Sequence, residues 1–209
     1  MRALIIIDIQ NDFCAGGTLE VPNGDQIIPL VNDLAGQFDL VVATQDWHPP
    51  THKSFASNHR GKQPFEVITL GGLEQVLWPD HCVQGTRGAE FHPQLDIRPV
   101  EAVFRKGMDP EIDSYSGFYD NGRKKSTGLT GYLRERKVEE VYVCGLAADY
   151  CVYFTARDAV QSGFRTHYIE DATRAISADQ FDAAREELAA LGVVLLDSGR
   201  LLSPKSSRV

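Results

Sequence analysis

The stretch ALIIID, residues 3–8, carries five apolar residues in succession and ends in an acid. A continuous β-branched and leucine-rich run is typical of a strand buried on both faces of a sheet, because a strand with one solvent face would alternate apolar and polar residues. Similar short apolar runs occur at Leu40–Thr44, Ala102–Phe104, Val141–Cys144, Thr166–Ile169 and Val193–Leu196. The sequence therefore predicts six buried strands.

Helical patterns separate most of these strands. The apolar residues of segment 27–38 recur at helical spacing, and so do those of 152–160 and 183–191, which are followed by Gly163 and Gly192. Alternating strands and helices give right-handed crossovers and a parallel sheet that is covered on both faces. We predict an α/β fold in a single domain over residues 1–209, a three-layer α/β/α sandwich around a mostly parallel, six-stranded, Rossmann-like sheet.

The charge and cysteine content of the sequence indicate which kinds of binding partner and compartment to expect. The formal net charge is -8, from 29 acidic and 21 basic residues, and this excess of acid argues against a nucleic-acid surface. Cys14, Cys82, Cys144 and Cys151 form no Cys-x-x-Cys pair, which indicates free thiols in a reducing compartment. We find neither the pattern of a signal peptide nor the length of a membrane span, so we expect a cytoplasmic protein without a membrane partner. A monomer and a homo-oligomer both fit the sequence.

The segment between residues 47 and 99 interrupts the alternation of strands and helices. It is rich in proline, glycine and histidine, and it is longer than an ordinary connection in a compact domain. Long irregular segments usually carry function, so we expect part of a binding site here. The tail Ser203–Val209 is expected to be frayed.

Charged and nucleophilic residues stand where the predicted strands should end. In an open parallel sheet, ligands bind outside the carboxyl ends of the strands, so residues far apart in sequence meet at one edge. The residues concerned are Asp8, Asp46, Lys106 and Cys151. The sequence therefore predicts a chemical site at this edge of the sheet.

Cys151 falls in the first turn of the helix predicted after Val141–Cys144. A helix N-terminus favours thiolate over thiol and offers unpaired N–H groups to an oxyanion. A single cysteine is more often an inert buried residue, but the presence of Asp8 and Lys106 on neighbouring strand ends reverses that weighting. Asp8 would take the thiol proton, and Lys106 would orient Asp8 and lower the thiol pKa. The alternative is a structural ion pair of Asp8 and Lys106.

A second group of residues has the composition of a metal site. Asp46 and His48 lie two apart on extended chain and so face the same side, and the long segment supplies His81. Two imidazoles and one carboxylate leave coordination positions open, as catalytic sites do; zinc is the first expectation, and iron or manganese are alternatives. The neighbouring residues His52, His59 and His92 are interpreted as hydrogen-bonded surface histidines.

Aromatic residues of the loops at the same edge would suit a planar ligand. Phe13, Trp78 and Tyr115 are predicted to bind substrate by enclosing a ring. Satellite packing beneath long loops is an equally weighted alternative for each residue taken singly.

These residues lie in segments that together resemble a known family. The matching segments are DIQNDFC (8–14), QDWHP (45–49), WPDHCVQGT (78–86), RKG (105–107), DSYSGF (113–118) and GLAADYCV (145–152). They run through nearly the whole chain in the family's order. The chain resembles the nicotinamidases, also called pyrazinamidases, of the isochorismatase-like cysteine hydrolase superfamily.

The resemblance implies a reaction and a role for each residue. The implied enzyme is an amidohydrolase that converts nicotinamide to nicotinate and ammonia through a cysteine thioester, in NAD salvage, and that also accepts pyrazinamide. The implied catalytic triad is Asp8, Lys106 and Cys151. The implied metal is one divalent ion per chain, held by Asp46, His48 and His81 within an insert at about 45–99. The resemblance also implies a cis Leu146–Ala147 peptide and an oxyanion hole formed by the N–H groups of Ala147 and Cys151.

Individual positions depart from the family pattern. Some relatives carry a further metal ligand where this chain has Ser54, which we leave outside the coordination shell. Ala148 stands where relatives usually have threonine, and Ala15 stands where many have proline. Because the triad and the ligands are unchanged, these departures bear on rate and not on the type of reaction.

Three other functions remain as alternatives. A related hydrolase acting on a ureide or an isochorismate-like enol ether would keep the fold without needing Asp46, His48 and His81. A hydrolase whose nucleophile is metal-bound water would not need Cys151. A non-enzymatic binding protein would give no reason for an acid, a base and a thiol to converge.

Overall fold

The structure is a computed structural model that describes residues 1–202. The tail Ser203–Val209, for which we predicted fraying, lies outside the described residues. The strands are β1 (Arg2–Ile7), β2 (Leu40–Asp46), β3 (Val67–Leu70), β4 (Leu73–Val76), β5 (Val100–Lys106), β6 (Glu140–Leu146), β7 (Arg165–Arg174) and β8 (Val194–Leu196). The helices are α1 (Ile28–Ala35), α2 (Leu129–Glu135), α3 (Tyr153–Gln161) and α4 (Ala178–Ala190).

The central sheet of the described chain has six strands in the order β5-β2-β1-β6-β7-β8. Each neighbouring pair is parallel, so the predicted mostly parallel sheet is parallel throughout these residues. The six apolar runs of the sequence all fall in this sheet, and the three-layer α/β fold is confirmed. The central position of β1 accounts for its unbroken apolar run, because both of its faces are covered.

Alternate residues of β1 enter opposite cores. Leu4 and Ile6 pack in a cluster that contains the α1 residues Ile28, Val31 and Leu34. Ala3, Ile5 and Ile7 pack in a second cluster on the other face of the sheet. That cluster contains side chains from the other three helices: Leu129, Leu133, Ala156, Ala159, Ala184 and Leu188. The two clusters are the interfaces of the α/β/α sandwich.

The segment between residues 47 and 99 contains regular structure that the sequence interpretation missed. Strands β3 and β4 form an antiparallel hairpin in which Val67 pairs with Val76 and Leu70 with Leu73. Gly71 and Gly72 form its turn, and both have positive φ, as a two-residue hairpin turn requires. A glycine pair directly after the short apolar run of residues 67–70 is the sequence signal that would have predicted it. Helix α2 was missed as well, since its seven residues are too short for a periodic pattern to stand out.

The parallel register brings the polar strand ends to one edge of the sheet. Asp46 at the end of β2 lies opposite Lys106 at the end of β5. Ile7, which precedes Asp8, lies opposite Gly145 near the end of β6. Within residues 1–202, no helix has both the length and the apolar composition needed to cross a membrane.

Candidate active site

Asp8, Lys106 and Cys151 meet at the carboxyl edge of the sheet. The Lys106 Nζ lies 2.8 Å from Asp8 Oδ2 and 3.4 Å from Cys151 Sγ. All three side chains are buried, and Cys151 keeps 7% exposure. A carboxylate oxygen of Asp8 and the sulfur of Cys151 lie within 4.8 Å of each other. The structure therefore brings together the three residues that we predicted as a triad.

Two features of the local backbone place Asp8 beside the thiol. Asp8 itself has a φ of 45°, a left-handed conformation that is uncommon for a residue other than glycine. Gly145 approaches the Ile7 carbonyl so closely that a Cβ there would collide with it. A buried hydroxyl completes the arrangement, because Thr44 Oγ1 donates a hydrogen bond of 2.7 Å to Asp8 Oδ1.

Cys151 lies in a turn that differs from the predicted helix start. Residues 148–152 form a π-type turn, and α3 begins only at Tyr153, so the sulfur precedes the α-helix. The backbone N–H of Val152 donates to the Ala147 carbonyl across this turn. The Leu146–Ala147 peptide that leads into it is cis, as the family resemblance implied. The turn is anchored at its base by Tyr168, whose hydroxyl donates to the Ala148 carbonyl at 3.0 Å.

Burial and neighbouring charges shift the pKa values of all three groups. Burial raises the pKa of the Cys151 thiol well above its ordinary value, and the opposing effect of Lys106 is too small to reverse this. It also raises the pKa of Asp8, despite the Lys106 ammonium beside it. Burial would lower the pKa of Lys106, but Asp46 and Asp8 more than compensate and raise it well above its ordinary value. From the sequence we expected a lowered pKa for this thiol; in the structure burial raises it, and the pKa of the neighbouring Asp8 carboxyl is raised as well.

Asp46, His48 and His81 form a second buried cluster next to the first. The Asp46 Oδ2 lies 3.5 Å from His48 Nε2 and 3.9 Å from His81 Nε2. One ligand atom from each residue falls within 4.8 Å of those of the other two. The other carboxylate oxygen, Asp46 Oδ1, lies 2.5 Å from Lys106 Nζ. One ammonium group thus contacts both clusters.

The ring orientations in this cluster fit a divalent metal ion. The Nδ1 atoms of His48 and His81 lie 2.9 Å from the Gly107 carbonyl and 2.8 Å from the Pro79 carbonyl, respectively. This leaves both Nε2 atoms facing Asp46, and His48 Nε2 is buried without a hydrogen-bond partner in residues 1–202. Imidazoles that bind metals are commonly oriented in this way, through the second ring nitrogen. Burial also lowers the pKa of His81 to about 4, which keeps this imidazole neutral and available as a ligand.

Three further histidines flank the cluster. His59 is half-buried, and its Nε2 lies 2.8 Å from the Lys53 carbonyl, as expected of a hydrogen-bonded histidine. His92 is also half-buried and accepts a hydrogen bond from the backbone of Gln94. The same interpretation is wrong for His52, which has no solvent exposure and whose ring centroid lies 4.5 Å from that of His48. The hydroxyl of Ser54 lies 2.7 Å from His52 Nδ1 and is occupied by that contact.

A narrow cavity opens beside Cys151. Its lining joins the predicted aromatic residues to both clusters: Phe13, Trp78, Tyr115, Asp46, His81 and Cys151. The Trp78 and Tyr115 rings meet edge to face at 6.2 Å, and the Phe13 ring lies 5.5 Å from the His81 ring. Aromatic faces around a polar end are suited to a small planar molecule.

Residues that the sequence interpretation passed over hold the metal cluster in place. The side-chain amide of Gln10 bonds both backbone groups of Asp46, at 2.8 Å each, and donates to the Ala89 carbonyl. The Asp12 carboxylate accepts a hydrogen bond of 2.7 Å from the Cys82 N–H, next to His81. Polar residues directly after a buried strand were the available signal, since buried polar groups require partners.

The outer side of the same segment is held by a cation–π contact. Trp47, which lies between Asp46 and His48, does not line the cavity, and the Arg105 guanidinium lies 3.9 Å from its ring centroid. Arg105 also donates to the side chain of Gln45 at 3.1 Å. Residues 45–48 are therefore fixed on both faces.

The fold and the site together define a hydrolase of the isochorismatase-like class. The sequence profile of the isochorismatase domain family matches residues 2–199, and the chain belongs to that family.

Individual relatives narrow the comparison. A nicotinamidase of Acinetobacter baylyi is 50% identical over 201 residues, which are 96% of this chain and 94% of that protein. A solved structure described as an Acinetobacter baumannii nicotinamidase and pyrazinamidase has a TM-score of 0.94 at 51% identity and covers 96% of this chain and 98% of its own. A Pyrococcus horikoshii pyrazinamidase solved in complex with zinc has a TM-score of 0.77 at 38% identity and covers 94% of this chain and 98% of its own. The predicted resemblance to nicotinamidases is confirmed, and the chain is an amidohydrolase.

Proposed function

We propose that this chain hydrolyses nicotinamide to nicotinate and ammonia through a thioester on Cys151. One observation carries the proposal: the Cys151 sulfur lies 3.4 Å from a lysine that also contacts Asp8, and it opens into a cavity that the aromatic residues and the metal cluster share. The names of the relatives support the substrate, because they are nicotinamidases and pyrazinamidases. Pyrazinamide is proposed as a further substrate on the same ground.

The binding step follows from the lining of the cavity. Phe13 and Trp78 would flank the pyridine ring, and Tyr115 would close the wall next to Trp78. Asp46, His48 and His81 would hold one divalent ion, with zinc as the first choice because a zinc-bound relative is known. When bound, such an ion supplies a Lewis-acid position for the ring nitrogen. A ring held by this lining would present its carboxamide carbon to the sulfur of Cys151, which lines the same cavity.

Acylation begins with a proton transfer within the triad. Asp8 takes the proton of the Cys151 thiol, a transfer that its raised pKa favours, and the Lys106 ammonium stabilises the thiolate that forms. The thiolate adds to the carboxamide carbon, and the oxyanion accepts hydrogen bonds from the N–H groups of Ala147 and Cys151. The C–N bond then breaks as Asp8 returns the proton to the nitrogen. Ammonia leaves, and nicotinoyl remains on the sulfur as a thioester.

Deacylation uses the same groups in the reverse sense. Asp8, again a carboxylate, accepts a proton from water, and the resulting hydroxide adds to the thioester carbon. The C–S bond breaks, nicotinate is released, and the proton on Asp8 returns to the thiolate. One water is consumed for each ammonia released.

The wider assignment follows from this reaction. The product nicotinate would enter NAD salvage, the role implied by the family resemblance. All four cysteines are free thiols in the structure, in keeping with the cytoplasmic location predicted from the sequence. We treat residues 1–209 as one domain whose segment at about 45–99 contributes the metal ligands His48 and His81.

The thioester mechanism is tested by a variant that lacks the Cys151 sulfur but keeps the fold. Cys151→Ala should reduce ammonia release from nicotinamide to background, because no nucleophile remains, while nicotinate binding measured by calorimetry persists. Cys144→Ala is the matched control, since this thiol is buried within β6 and does not line the cavity. Ammonia release by Cys151→Ala at a rate comparable to that of the unmodified protein would contradict the thioester and favour a metal-bound water as nucleophile.

A further inference from the structure

The hairpin of β3 and β4 buries an amide beside the cavity wall. In β4, Glu74 is exposed and Leu73 and Val76 are half-buried, whereas the side chain of Gln75 keeps only 3% exposure. A two-stranded hairpin is marginally stable alone, so the contacts of its buried side chain matter for where it sits. Burial of an amide is unfavourable unless it is hydrogen-bonded, which makes its partners informative.

The Gln75 amide nitrogen donates to groups that belong to the cavity wall. It lies 3.1 Å from Asp113 Oδ2, 3.1 Å from the Tyr115 hydroxyl and 2.7 Å from the carbonyl of its neighbour Val76. The two hydrogens of the amide are shared among these three acceptors. Both Asp113 and Tyr115 line the cavity that contains Cys151, whereas Gln75 lies behind them.

The Tyr115 hydroxyl joins Gln75 to a second aromatic residue. It accepts a hydrogen bond of 3.2 Å from the indole N–H of Trp78, in addition to the one from Gln75. The chain passes directly from β4 through Leu77 to Trp78, so the same short segment supplies the amide and the indole. Two donors on one hydroxyl tie the positions of the two aromatic side chains together, because neither can move away from the other without breaking a part-buried hydrogen bond.

We propose that Gln75 is a positioning residue that sets the aromatic wall of Trp78 and Tyr115 through the Tyr115 hydroxyl. It touches neither the substrate nor the triad, and its effect falls on how tightly a planar ring is held. Ring fit should therefore depend on Gln75, whereas the reactivity of Cys151 should not. The inference rests on the proposed function, since it takes the ring of an aromatic amide as the occupant of the cavity.

The test compares variants at the two ends of the hydrogen bond. Gln75→Met keeps the length of the side chain and removes its donors, and Tyr115→Phe keeps the ring and removes the acceptor. Each should raise the KM for nicotinamide about tenfold, while kcat and the rate of Cys151 alkylation by iodoacetamide change by less than about threefold. The double variant should resemble either single one, because the two changes remove one shared network. Thr69→Ala, an exposed position on β3, is the control and should leave all three quantities unchanged.

Each outcome of this experiment either supports or refutes the role of Gln75. An unchanged KM in Gln75→Met, or KM effects that multiply in the double variant, would overturn the inference. So would a parallel fall of kcat and alkylation rate in Gln75→Met, because that pattern belongs to a disturbed fold. If Gln75→Met does not fold, Tyr115→Phe alone decides, and an unchanged KM there refutes the proposal. Absence of nicotinamide hydrolysis by the unmodified protein would refute the proposed function, whereas a normal rate with unchanged variants would refute this inference alone.

Discussion

Asp8 and Asp46 are two buried carboxylates that flank the same ammonium group, and they differ in what they can do. Lys106 Nζ lies 2.8 Å from one and 2.5 Å from the other. Burial raises the pKa of both, but in Asp46 it is outweighed by Lys106 and His48, and the pKa falls well below its ordinary value. In Asp8 burial prevails, helped by the negative charge of Asp46, and the pKa rises. One carboxylate is therefore suited to accept a proton, and the other to remain an anion.

The difference comes from the neighbours on the far side of each carboxylate. Asp46 faces two imidazoles, which favour its charged form, and a metal ion at the same place would act in the same sense. Asp8 is instead hydrogen-bonded to the hydroxyl of Thr44, and the sulfur of Cys151 lies within 4.8 Å of its carboxylate. Pairs of acids whose environments separate their pKa values commonly divide the roles of proton carrier and fixed charge. The comparison predicts that substitution of Asp8 affects proton transfer, whereas substitution of Asp46 affects metal binding.

The largest effect is expected from Asp8→Asn. The amide cannot take the thiol proton, so kcat for nicotinamide should fall by about 10³-fold, within the range of general-base catalysis. Bound metal, measured by atomic absorption on the purified protein, should be unchanged, because Asp8 is the partner of the thiol and not of the imidazoles. A variant that loses its metal in parallel with its activity would show that the two effects are not separable.

Asp46→Asn should have a smaller effect on turnover and a direct effect on the metal. Removing one of three ligand groups should weaken metal retention by about 100-fold or more, since even residues behind the ligands contribute about 10–100-fold. KM should rise as ring binding weakens, and excess zinc should restore part of the activity. Alkylation of Cys151 should continue in this variant. If added zinc has no effect while the variant remains folded, the assignment of Asp46 as a ligand fails.

The smallest effect is expected from Thr44→Val, which removes one hydroxyl at nearly constant volume. Loss of a single hydrogen bond costs about 1 kcal/mol, so kcat/KM should fall about fivefold. The Thr44 hydrogen bond lowers the pKa of Asp8, so its loss raises that pKa further. The base form is then lost at higher pH, and the acid limb of the pH profile of kcat/KM should move upward. Thr130→Val, a buried hydroxyl in α2, is the control; an equal shift in that variant would remove the special role of Thr44.

The sequence predicted the sheet and the meeting of the site residues more completely than the surroundings of the site. Ala3–Ile7 predicts a central strand because a short unbroken apolar run that ends in an acid fits a strand covered on both faces, and parallel strands gather their carboxyl ends by geometry. Local patterns do not report how deeply a side chain will be buried. That is why His52 was interpreted as a surface residue, and why the thiol pKa of Cys151 was expected to be low.

The supporting contacts were harder to predict for a related reason. Gln10 and Gln75 are amides that could lie on any polar surface, and only the folded chain shows that each holds a residue of the site. The hairpin of β3 and β4 carried a weak signal, a glycine pair after a short apolar run, within a segment otherwise rich in proline and histidine. Residues that act through others leave little trace in a local pattern.

The stacking of Arg105 on Trp47 limits insertions and deletions in this part of the sequence. Asp46 and His48 contact each other in the metal cluster, whereas Trp47 between them contacts Arg105. These contacts depend on the present alternation of side chains along residues 46–48. One residue inserted between Asp46 and Trp47 would move the indole into the position of His48 and carry the histidine to the opposite face of the segment. The length of this segment is therefore as strongly constrained as its composition. We expect related or engineered sequences to differ here by substitutions, and to carry insertions and deletions only in the loops on either side.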